Sequence, residues 1–236
     1  MSRNLTIEII KKLKHNKSAY SFITNLMSDA NVYLFGGAIR DFFDDRLDQS
    51  RDLDFVVEAK HNDSIDIQKY ILDFTDVIYK KNRYDGYKIN FENSVTMDIW
   101  NLNDTWAFRN YKLSPSPENL IKSVYLNVDA LVYSLNYESF LENCDDIYFQ
   151  VRKERILDIV FDETPYEGLN LLRALVFQKK YSLNLSEELK AKLLDYIKNN
   201  KNIAIDNFIN IQMSHYNNII LNKNDLLKIF YYLKEC

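Results

Sequence analysis

The stretch Asn31–Glu58, NVYLFGGAIRDFFDDRLDQSRDLDFVVE, decides how the rest of the chain is read. Only four glycines occur in 236 residues, yet Gly36 and Gly37 stand side by side here. They close a short apolar run, NVYLF, and open AIRDFFDDRL, whose spacing predicts a helix. RDLDFVVEA follows as a second strand. Side chains alternate faces along a strand, so Asp52 and Asp54 share one face while Leu53 and Phe55 share the other. Two carboxylates on one face of an apolar strand repel each other and lose hydration. A divalent cation compensates for that, and plain solvation at the sheet margin is the alternative.

A third acid bears on the choice. In SVTMDIWNL, Val95, Met97 and Ile99 alternate with Thr96, Asp98 and Trp100. If this strand lies beside the Asp52/Asp54 strand, three oxygen donors converge on one face. Such a set suits Mg²⁺ (or Mn²⁺), which takes oxygen ligands and leaves room for substrate phosphates. Two ions there could clamp the attacking and leaving oxygens of an in-line phosphoryl displacement. The alternative partner for Asp98 is a basic side chain such as Arg109. A strand–Gly-Gly–helix turn also lets backbone approach a ligand and presents the N–H groups of a helix start, which suits a triphosphate.

Outward from this centre, Leu5, Ile9, Ile10 and Leu13 recur at helical spacing, and a second helix is predicted from Ser18 to Ser28. SIDIQKYILDF reads as a helix. DVIYKKNRYDGYKINFENSVTMDIWNL reads as three strands with turns at Asp85-Gly86 and Glu92-Asn93. Strands are predicted around DIYFQVRKERILDIVFD, and the pattern turns helical from Pro165. The chain thus divides into an α+β head domain, residues 1–163, and a helical C-terminal domain, residues 164–236. A net charge of -4 advertises no basic nucleic-acid surface and leans away from a long RNA substrate. Cys144 and Cys236 are the only cysteines, which argues against a disulfide scaffold. The N-terminus is lysine-bearing and amphipathic rather than signal-like, and no run approaches the ~18 apolar residues of a membrane span. A cytoplasmic protein with no membrane partner is the expectation. The three histidines show no zinc spacing.

GGAIRD followed by DLD and later MDI resembles the head domain of class II poly(A) polymerases and tRNA CCA-adding enzymes, in the polymerase-β-like nucleotidyltransferase superfamily. The resemblance implies a mixed antiparallel sheet flanked by helices, followed by a small helical neck. It implies that Asp52, Asp54 and Asp98 are the catalytic and metal-binding residues. Gly36 and Gly37 would lie against the triphosphate, with Arg40 and Asp41 supporting that nucleotide-binding loop. Ser123, Val124 and Tyr125 stand where the family carries Arg-Arg-Asp. In YEGLNLLRALVF, Arg173 survives, while Glu167 and Asn170 replace the Asp and Arg that read the incoming base. Trp106 and Arg109 are candidates for an acceptor or base pocket, because aromatic and guanidinium faces stack on bases.

The expected activity is transfer of a nucleoside monophosphate from an NTP to an acceptor hydroxyl, on an RNA 3′ end, a small molecule or a protein. The departures imply that the product is not a CCA end. A non-catalytic NTP-binding or protein-interaction module on the same fold is the alternative.

Overall fold

The structure, a computed structural model, describes residues 4–50, 52–61, 64–92, 96–142, 144, 147–148, 150–200 and 203–235. Asparagine side chains start the first two helices. Asn4 accepts from the N–H of Ile7 to begin α1 (Leu5–Lys14), and Asn16 accepts from the N–H of Ala19 to begin α2 (Lys17–Asp29). Leu5, Ile9 and Leu13 on α1, and Phe22, Ile23 and Leu26 on α2, form the buried stripes that the helical spacing predicts.

The chain divides into two compact units: Met1–Ser123 with Asp129–Asp146, and Val124–Val128 with Ile147–Cys236. The first unit is built on a seven-stranded sheet. Its strands are β1 (Ala30–Phe35), β2 (Asp52–Ala59), β3 (Val77–Lys81), β4 (Tyr87–Phe91), β5 (Thr96–Asn101), β6 (Val132–Ser134) and β7 (Ser139–Phe140), in the order β3-β4-β5-β2-β1-β6-β7. Only the central β2/β5 pair is parallel; the other pairings are antiparallel. The three strands read from NVYLF, DLDFVV and TMDIW therefore share one sheet. Arg51 and Val95, expected at two strand starts, lie outside the described residues, as does Asn93 of the expected second turn. At the first expected turn, Asn82 donates its N–H to the carbonyl of Gly86 at 2.8 Å. One sheet face is apolar: Leu34, Leu53, Phe55, Met97 and Ile99 are fully buried. On α2, Phe22 meets Phe74 and Phe91, with ring centroids 6.3 and 5.6 Å away. The connections carry α3 (Gly37–Phe43), α4 (Ile67–Leu72), α5 (Trp106–Arg109) and α6 (Pro117–Ile121).

The second unit contains α7 (Gln150–Glu154), α8 (Glu167–Tyr181), α9 (Glu187–Asn200), α10 (Ala204–Tyr216) and α11 (Lys223–Glu235), with a parallel pair of two-residue strands, β8 (Ile156–Leu157) and β9 (Asn184–Leu185). Leu171, Leu175, Leu189, Leu193, Phe208, Leu221 and Leu226 make its core. Gln212 is buried yet satisfied: its carbonyl accepts from Ile220 and Leu221, and its amide donates to the Leu221 carbonyl. The reading of DIYFQVRKERILDIVFD as strands is corrected here. The run QVRKE is helical, in keeping with its helix formers at every position but Val151. Arg155, at φ 59°, ends that turn; beyond it come the two-residue strand Ile156–Leu157 and an isolated bridge from Ile159 to Leu126. Cys236 lies outside the described residues. Among the described residues no helix is long and apolar enough to cross a membrane.

Candidate active site

The parallel pairing of β2 with β5 sets Asp52 opposite Thr96, Leu53 opposite Met97 and Asp54 opposite Asp98. In-register neighbours project to the same face. Asp52, Asp54 and Asp98 thus share the face opposite buried Leu53 and Met97. The side chain of Asp52 is 13% exposed and that of Asp98 31%. Lys88 on β4 lies opposite Asp98, and its ammonium is 3.1 Å from Asp98 Oδ2 and 3.7 Å from Asp52 Oδ2. As the side chains stand, no three His, Cys, Asp or Glu residues among those described converge tightly enough to hold a metal ion. Asp54 and Asp98 are direct neighbours on adjacent strands, and Asp52 lies two residues from Asp54 on the same face. The donors are hard oxygens, and two of the three already hold one cationic head group between them, so the set fits Mg²⁺ or Mn²⁺.

The expected alternative for Asp98, a basic partner such as Arg109, is met by Lys88 rather than by Arg109. Arg109 reaches Asp85 Oδ2 at 2.6 Å and Asp104 Oδ1 at 3.8 Å. Lys81, first, and Arg109 hold the Asp85 carboxyl below its usual range. Burial raises that of Asp104, with Arg109 opposing. Lys88 escaped the sequence reading, although alternation in YKINF puts it opposite buried Tyr87, Ile89 and Phe91.

Phe35 pairs with Asp54, so the chain enters Gly36 at the carboxylate end of the sheet. Gly36 has φ 67° and ψ -116°, a conformation reserved for glycine, and a Cβ there would meet nothing within 4 Å. At Gly37 a Cβ would touch only Arg40 Nη2, at an ordinary 3.6 Å. The N–H groups expected to face a ligand are those of the helix start, and Gly36 is not among them. The N–H of Gly36 donates to the Leu131 carbonyl at 2.9 Å, extending the β1/β6 pairing. The first-turn N–H groups of α3 are the ones a helix leaves without an intrahelical acceptor.

Arg40 is buried and ion-paired to Asp129, which is buried as well. Asp129 was missed from the sequence. Asp41 accepts from Ser50 Oγ at 2.7 Å and, through its carbonyl, from the N–H of Arg46 at 2.7 Å. It thereby fixes the turn that leads into Asp52. Lys12 steadies the same turn, donating to the carbonyls of Leu47 and Asp48; burial lowers its pKa.

Trp100 shares the carboxylate face, donating from Nε1 to Thr105 Oγ1 at 3.0 Å and meeting Phe35 edge-on at 6.1 Å. Trp106 is half-buried, Phe108 is core, and Arg109 is committed to the β3–β4 turn. In the second unit, buried Asn170 donates its amide to Thr164 Oγ1 at 2.8 Å and to the Pro165 carbonyl at 3.0 Å. The Arg173 guanidinium lies over the Phe177 ring, 5.7 Å from its centroid.

No known family profile matches the sequence, and no curated protein matches it. Solved structures do match its fold. The Thermotoga maritima CCA-adding enzyme complexed with tRNA aligns with TM-score 0.64 and 14% identity, over 98% of this chain and 54% of that one. A tRNA-processing enzyme in an apo form aligns with TM-score 0.62 and 15% identity, over 99% and 58%. A CCA-adding enzyme with CTP aligns with TM-score 0.58 and 14% identity, over 84% and 46%. The chain spans about half the length of these structures. What the match establishes is the fold: an α+β protein whose seven-stranded mixed sheet and flanking helices are arranged as in the CCA-adding enzymes.

Proposed function

We propose that the protein is a metal-dependent nucleotidyltransferase, moving a nucleoside monophosphate from an NTP to an acceptor hydroxyl with release of pyrophosphate. The observation that carries this reading is the register of Asp54 against Asp98, with Asp52 on the same face and the Gly36 turn at the same end of the sheet. A divalent ion on these carboxylates would offset triphosphate charge and stabilise both the attacking and the leaving oxygen. Asp52, Asp54 and Asp98 would hold it. Asp41 and Ser50 would keep the start of β2 in place, and the open side of Gly36 would admit the phosphates. The acceptor hydroxyl would lose its proton to solvent and its oxygen would bond to the α-phosphorus as the bond from that phosphorus to the bridging oxygen breaks, releasing pyrophosphate.

The same reading holds that the product is not a CCA end. Both amide hydrogens of Asn170 are spent on Thr164 and Pro165, which supports the loss of a donor edge for reading a base. A non-catalytic nucleotide-binding module is the second reading, favoured by the hold of Lys88 on Asp52 and Asp98. Incubation with each labelled NTP and Mg²⁺ or Mn²⁺, against RNA lacking its CCA end, bulk RNA and protein, separates the two. Label transfer that falls at least about 100-fold in Asp54→Asn and Asp98→Asn, with unfolding unchanged or more resistant, supports catalysis. No transfer to any fraction, or equal transfer by the variants, sinks it. Ordered addition of C, C and A refutes the statement about product.

A further inference from the structure

We propose that Lys88 is a built-in competitor for the metal, its ammonium exchanging with a divalent cation at Asp52 and Asp98 and so setting the metal affinity. The inference rests on reading the carboxylate face as a metal site. The strand registers place a continuous row across the sheet: Lys80 on β3, Lys88 on β4, Asp98 on β5, Asp54 on β2 and Phe35 on β1. Two cations and two anions thus meet at the β4/β5 boundary. Lys80 beside Lys88 is a like-charge cross-strand pair, which is unfavourable by itself. It biases the Lys88 head group towards the acids, where one ammonium reaches two carboxylates from different strands. An ordinary strand ion pair would engage only the residue opposite.

Lys88 is nearly half exposed, so its ion pairs are screened and cheap to release. A divalent ion carries twice its charge and binds carboxylate oxygens directly, so it can win the exchange. Lys88 keeps a long flexible stem and can swing into water without moving β4. Because its head group occupies the space between Asp52 and Asp98, ammonium and metal cannot both sit there. The presence of this positive charge beside the site makes metal binding weaker than three bare carboxylates would give.

The test is direct calorimetric titration of Mn²⁺ alone into the full chain. Lys88→Met should bind Mn²⁺ about tenfold tighter than wild type, a shift of the size expected for a half-solvated charge next to the ion. Lys88→Arg, which keeps the charge, should stay near wild type. Lys80→Met removes the same charge one strand further out and should change affinity less than about twofold. Thermal melts without metal check that each variant is folded, and Lys88→Gln replaces Lys88→Met if that variant is not. Binding that is equal or weaker in Lys88→Met, or an equal gain in Lys80→Met, overturns the competition while leaving the metal face intact. Absence of Mn²⁺ binding by both wild type and Lys88→Met overturns both.

Discussion

Asp129 occupies the apolar run VYLNVDALVY and faces Arg40 where both are buried. A buried ion pair contributes little net stability, but removing one partner strands the other charge. Asp129→Ala should therefore cost about 3–5 kcal/mol in chemical denaturation. Arg40→Met combined with Asp129→Leu should recover most of that; equal losses in the single and double variants would dismiss the pair as the cause. Asp104 tests the opposite case. Its folded pKa is raised by burial, so the fold pays to keep it ionised above that pKa and is relieved as pH falls through it. Asp104→Asn should melt higher than wild type at neutral pH, and the gap should close in acid. A gap that persists or widens in acid would contradict this sign. Asp52, Asp54 and Asp98 were legible because a period of two exposes acids on an otherwise apolar strand. Asp129 was not, since nothing local distinguishes a buried, paired acid from a turn residue; its partner lies 89 positions away.

At the scale of elements, the β1–Gly-Gly–α3 turn was readable because glycine is scarce in this chain. What the sequence could not say is that the two glycines differ. Gly36 is required by its positive φ, so Gly36→Ala should cost about 1–3 kcal/mol despite the open space around it. Gly37→Ala meets no strain and should leave the melting temperature nearly unchanged. If nucleotide binding weakens in Gly37→Ala without loss of stability, the second glycine serves a ligand. Equal destabilisation by both substitutions would show that the turn geometry alone explains the pair. The segment around QVRKE was misread for a related reason. Its flanking branched and aromatic residues favour strands, but the short run between them is helix formers apart from Val151, and local propensity prevailed.

At the scale of the molecule, Val124–Val128 belongs to the second unit although it is flanked on both sides by first-unit chain. Tyr125, Leu126 and Val128 are part of the second core. The Asn127 side chain donates to the Ile156 carbonyl and accepts from the N–H of Asp158, and Leu126 bridges Ile159. A fragment of residues 124–236 should melt cooperatively and at a higher temperature than 147–236, which lacks these contacts. Identical melts would mean that the segment is dispensable. No sequence feature foretells the crossing, because VYLNV is as apt for one core as for another. Order of synthesis gives it a consequence. Tyr125, Leu126 and Val128 leave the ribosome roughly a hundred residues ahead of α11, which at about 5–20 residues per second is on the order of ten seconds. Through that interval the nascent chain carries an apolar segment whose core is still being translated, and the pace of the ribosome sets how long that surface is open to chaperones and to neighbouring chains.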